Sequence, residues 1–164
     1  METLNRALNG FTLIEMMVVV GVVAILALMT IPSFIDQFIR NQVAEALPLA
    51  DIAKAPIAAS WAIARTLPPD NASIGLPVPE KVVNNHISAL VVDGGAIHIT
   101  FGNRANGSIR GKILTVRPAV VPDAHIVPVA WVCGYAMVPG NMSARGENRT
   151  NIPANQLPLN CRGN

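Results

Sequence analysis

Charge is scarce in this chain. Asp, Glu, Lys and Arg make up 13% of its 164 residues, about half the share of an average soluble domain. The twelve Lys and Arg are scattered from Arg6 to Arg162 with a net charge of only +2 and no block of five or six like charges, so a basic nucleic-acid surface has weak support. Cysteine is limited to Cys133 and Cys161, both in the last third of the chain. An even pair reads as one disulfide if the domain faces an oxidising compartment, and as two buried thiols if it does not.

Catalytic and ligand-binding signatures are lacking too. His86, His98 and His125 have no metal-ligand spacing with one another or with the cysteines, and are expected at the surface, His98 on the outer face of a strand. GSIRGK (107–112) has three residues between its glycines where a phosphate loop needs four, and Ile113 follows its lysine where Ser or Thr belongs. It reads as a turn leading into a strand. There is no Gly-x-Ser-x-Gly elbow, paired catalytic carboxylates or Cys/His arrangement, and Cys133 as a nucleophile would have to forgo its bridge. The expectation is a non-enzyme without cofactor or metal. Asn71, Asn106, Asn141 and Asn148 each open an Asn-x-Ser/Thr triplet and are read as turn residues.

What the chain has instead is apolar length, 51% hydrophobic residues overall. From Met16 to Ile31 there is no charge, and from Phe11 to Ile35 only Glu15. As a helix those residues would reach roughly 37 Å, enough to cross a hydrocarbon core of about 30 Å. A cleaved secretory signal fits poorly: METLNRALNG sets only Arg6 against Glu2, and the apolar run passes into an amphipathic helix instead of a cleavage site.

The stretch GFTLIEMMVVVGVVAILALMTIPSFIDQFIRNQVAEAL resembles the N-terminus of a type IV pilin. The resemblance implies a leader over 1–10, cut by a membrane-embedded prepilin peptidase between Gly10 and Phe11, with methylation of the new Phe11 amine. Glu15 matches the glutamate that, in that family, meets the N-terminal amine of a neighbouring subunit. A carboxylate at membrane depth costs a few kcal/mol, and a partner amine offsets that while pinning the axial register. Pro32 matches the family's helix-kinking proline. Two positions depart from the usual pattern: Ala24, where many relatives carry glycine, and Asn9, where Lys or Arg often precedes the cut.

Beyond Pro32, Phe34, Phe38, Ile39, Val43 and Leu47 recur at helical spacing, giving an amphipathic half over 36–66 that runs to about Arg65 with bends at Pro48 and Pro56. LPPDNASIGLPVPEKVVNN (67–85) reads as a connector loop with a short helical turn. ISALVV, Asp93-Gly94-Gly95 and AIHITF read as a hairpin turning on the Asp-Gly pair, with Ile97, Ile99 and Phe101 on the face toward the helix. GKILTVRP and IVPVAWVCGYAM supply two more strands. The expected fold is α+β: one long helix on a four-stranded antiparallel sheet, with the globular head over 67–164. ITFGNRANGSIRGKILTVRP and AWVCG through LPLNCR also resemble the sheet and C-terminal region of major type IVa pilins, which implies a Cys133–Cys161 bridge around a C-terminal loop.

By resemblance the chain is a pilus subunit, held in the bacterial inner membrane as a prepilin and then polymerised with itself into an extracellular filament by the pilus assembly machinery. Adhesion to host surfaces, twitching motility and DNA uptake are the family's uses of such filaments. Aromatics at 4% do not favour a filament conducting through stacked rings. Three rivals stand beside this reading: a minor pilin or type II secretion pseudopilin, a DNA-binding competence pilin, and a signal-anchored enzyme or binding domain.

Overall fold

Alanine takes over where the sequence pattern of large apolar residues ends. In the computed structural model, which describes residues 10–163 and of 31–33 the backbone alone, helix α1 runs Leu13–Ala64. The chain divides into one unit ending at Ile35 and another from Asp36 onward. In the second unit, Ile39, Val43, Ala46, Ala50, Ala53, Ile57 and Trp61 form the buried stripe of α1, at helical steps of three or four. Small side chains at its centre let the sheet approach closely. Phe34 and Phe38, expected on this stripe, are 75% and 52% exposed, because they lie off the face that Ile39 and Val43 define. The helix continues through Pro48 and Pro56 and ends at Ala64, just before Arg65, which takes φ 58°.

The hairpin forms as the alternation predicts, from β1 (Ile87–Asp93) and β2 (Ala96–Phe101). Its two-residue turn is Gly94-Gly95, at φ 55° and 83°, while Asp93 remains paired with Ala96. The positive dihedrals that a tight hairpin needs thus fall on the two glycines, not on Asp93-Gly94. A register shift between Ile87 and Ala89 puts Ile87 on the same face as Leu90 and Val92, facing the core with Ile97, Ile99 and Phe101.

Strand β3 (Ile113–Val120) pairs antiparallel with β2, and β4 (Ala130–Cys133) with β3. The expected four strands become five: β5, Ser143–Ala144, pairs with Ala119 and Val120 at the end of β3. The expected fourth strand also shrinks to four residues.

The connector 67–85 contains two short 3₁₀ turns, Ala72–Ile74 and Pro79–Lys81. It covers the outer edge of β1 through Asn71, which is buried. The Asn71 amide donates to Leu90 O (2.9 Å) and Pro77 O (3.1 Å), and its Oδ1 accepts from Val92 N (2.6 Å). Both amide hydrogens are engaged, so Asn71 is a buried bracket rather than an exposed turn residue or sugar acceptor. A sheet edge closed in this way offers no template for strand addition.

Candidate functional site

Two features carry the chemistry, one at each end of the chain. The first is the start of α1. Thr12 precedes it, its hydroxyl accepting from Glu15 N at 3.3 Å and its carbonyl from Met16 N at 3.2 Å. Thr12-Leu13-Ile14-Glu15 therefore has the spacing of a capping box, with Thr12 as N-cap and Glu15 three residues on. Glu15 stands out in the sequence as a lone charge; Thr12 does not, although the T-x-x-E spacing is its signal. The position also puts Glu15 in the first turn, at the positive end of the helix dipole. Gly10 and Phe11 lie just outside the helix, with Phe11 75% exposed. The rest of the expected leader, residues 1–9, lies outside the described residues, as does the side chain of Pro32.

From Met16 to Met29 this unit is apolar on every side. Leu13, Ile14, Met17, Val20, Val23, Leu26 and Leu28 are all exposed, and α1 is long and apolar enough to cross a membrane. Thr30, the polar side chain near its end, donates to Ala27 O at 3.0 Å, satisfying its hydroxyl within the helix. A helix hydrophobic all round belongs in lipid or among other helices.

The second feature is the C-terminal loop closed by a Cys133–Cys161 disulfide, the pairing the resemblance implied. Tyr135 N donates to Cys161 O at 2.9 Å beside it. At the base of the head, Arg40 Nε donates to Asn155 O (2.8 Å) and Asn155 Nδ2 to Asp36 (2.9 Å), tying the loop to the helix.

Within the loop, residues 145–151 cross the outer face of the sheet. Arg145 N donates to Pro118 O, Arg149 N to Thr115 Oγ1, and Asn151 N to Ile113 O. This segment covers His98 and Thr115, so His98, expected at the surface, is 3% exposed. Its Nδ1 lies 2.9 Å from Thr115 Oγ1. Burial holds the His98 pKa below its ordinary value, as does the Arg149 charge, against the opposing pull of Asp93 and Glu147. His86 sits 3.6 Å from Glu45, and the His125 ring lies tilted against Trp61, 4.3 Å between ring centroids and 50° between planes.

An apolar membrane-length helix with a capped, acidic start, continuous with the helix of a disulfide-closed α+β head, defines a class of anchored subunits that can associate through their helices. Family comparisons match both parts: a prokaryotic N-terminal methylation motif over residues 5–31 and the pilin (bacterial filament) family over 40–162. The chain is 30% identical to a type IV major pilin protein, PilE1, of Neisseria gonorrhoeae, over 97% of this chain and 89% of that one. It is 29% identical to fimbrial protein EcpC of Eikenella corrodens, over 97% and 94%. With type IV major fimbrial protein FimA of Dichelobacter nodosus it shares 36% identity over 64% and 72%. The chain belongs to the type IV pilin family.

Proposed function

We propose that this chain is the structural subunit of a type IV pilus, made as a prepilin in the inner membrane and polymerised into an extracellular filament. The observation that carries the reading is the helix beginning at Leu13, exposed from Leu13 to Thr30 and without charge after Glu15 along that stretch, in a chain whose head has its own buried core. Prepilin peptidase would cut between Gly10 and Phe11, and the Phe11 amine would then be methylated. The match to the methylation motif over 5–31 supports that site.

Lipid accommodates the helix before assembly, and packing against identical helices replaces lipid afterwards. Apolar packing has no direction, so register needs a polar element. In this proposal Glu15 supplies it by pairing with the Phe11 amine of a neighbour, while Pro32 allows the helix to bend in the filament. The pilus assembly machinery extracts the subunit, and the filament serves adhesion to host surfaces, twitching motility and DNA uptake. Its role is structural and not catalytic.

The test is the mature N-terminus, read by mass spectrometry in membrane and sheared-surface fractions of the native host. A methylated Phe11 start, abundant in the sheared fraction, is expected. An intact Met1 start confined to membranes would leave a single-pass anchor and overturn the filament role.

A further inference from the structure

His98 and Thr115 are directly opposed across β2 and β3 and buried beneath the 145–151 segment. Thr115 Oγ1 already accepts from Arg149 N at 3.0 Å. With its own hydrogen given to His98 Nδ1, the neutral imidazole carries its proton on Nε2, and that is the tautomer we assign. That Nε2 is buried without a hydrogen-bond partner. Above the pair, the Arg149 guanidinium bridges Asp93 of β1 at 2.6 Å and Glu147 at 2.8 Å. Gly146, at φ +80°, packs so tightly on Ala96 that a Cβ there would stand 2.5 Å from the alanine methyl.

We propose that residues 145–151 are an acid-released latch, closed on the sheet while His98 is neutral and opened when it takes a second proton. The imidazolium would carry hydrogen on both nitrogens. Nδ1 would become a donor to Thr115 Oγ1, and the threonine hydrogen would lose its acceptor. Nε2–H is already unpartnered, and the new charge would sit beside Arg149, with Arg117 a further cation on the same face of β3. Asp93 and Glu147, both ion-paired with Arg149, are the acids that face this charge; they favour it, and burial and the Arg149 charge outweigh them. Opening hydrates the imidazole and separates it from Arg149. The Cys133–Cys161 bridge encloses the segment, so release changes the surface without freeing a chain end.

The sign follows from linkage. The closed state holds His98 below its ordinary 6.5, so the open state binds the proton more readily. The latch is fully closed above pH about 6.5 and loosens as the pH falls toward the depressed value. Its opening constant rises by at most about tenfold for each unit of depression.

The experiment is amide hydrogen exchange on the full chain in detergent micelles at pH 7.5 and 5.0, corrected for intrinsic exchange rates. This window stays above the ordinary carboxylate range. Peptides covering 145–151 should lose protection at pH 5.0 while those of β1 and β2 keep theirs. In His98→Gln the pH dependence should vanish. Equal protection of 145–151 at both pH values in the wild type, or an unchanged dependence in the variant, overturns the latch. Should His98→Gln fail to fold, exchange of the His98 C2 hydrogen in the wild type decides: a midpoint below 6.5 sustains the proposal and one at or above 6.5 overturns it.

Discussion

The residues that organise this head are polar ones in places where the sequence suggested surface. Asn71 closes an edge of the sheet with three hydrogen bonds, and Asn71→Ala would leave Val92 N and Leu90 O without that partner. At about 1–3 kcal/mol per orphaned buried group, the variant should unfold at a clearly lower denaturant concentration, with an unchanged slope. A midpoint within error of the wild type would show that water replaces the amide. Neither Asn71 nor His98 could be read as buried from its neighbours. The burying partner of Asn71 is a strand 19 to 21 positions away, and that of His98 is a polar segment with no apolar period. Glu15 was legible because a lone charge in an apolar run is conspicuous. Thr12 was legible only through the spacing it shares with Glu15.

At the scale of elements, legibility followed periodicity. The β1–β2 hairpin alternates and carries two glycines at its turn, and both arms appear where expected. β5 has two residues, so period two cannot show itself; it exists because β3 runs past its pairing with β2 and leaves Ala119 and Val120 to be matched. Between its cysteines the C-terminal loop buries just two large hydrophobic side chains, Ile152 and Leu157, which makes its bridge the main constraint on its ends. Closing a loop with a sequence separation of 28 is worth about 3.5 kcal/mol in the chain-entropy model. Cys133→Ser should therefore lower stability by roughly that amount and speed tryptic cleavage after the exposed Arg145 and Arg149 under non-reducing conditions. Unchanged cleavage rates would mean that the hydrogen bonds to β3 hold the segment without the bridge.

For the whole molecule, the two units put opposite demands on their surroundings. The head buries Ile39, Ile57, Leu90, Ile99, Phe101 and Leu114 completely, and residues 36–164 alone should fold as a soluble domain with a cooperative melt; aggregation or a non-cooperative melt would show that the core needs the preceding residues. Among its described residues the first unit buries none, which suits a place in lipid or among other copies of the chain. The register role proposed for Glu15 and a role in capping the helix can be separated by substitution. Gln at that position keeps the reach and hydrogen bonding of a capping box but carries no charge, whereas Ala loses both. If Glu15 fixes filament register by pairing with an amine, Glu15→Gln and Glu15→Ala should both insert normally into membranes and both yield few surface filaments. Either neutral variant should also insert more readily than the wild type, since a carboxylate at membrane depth costs a few kcal/mol. Filaments at wild-type level from Glu15→Gln but not Glu15→Ala would reduce Glu15 to a helix cap, and wild-type levels from both would remove it from assembly altogether.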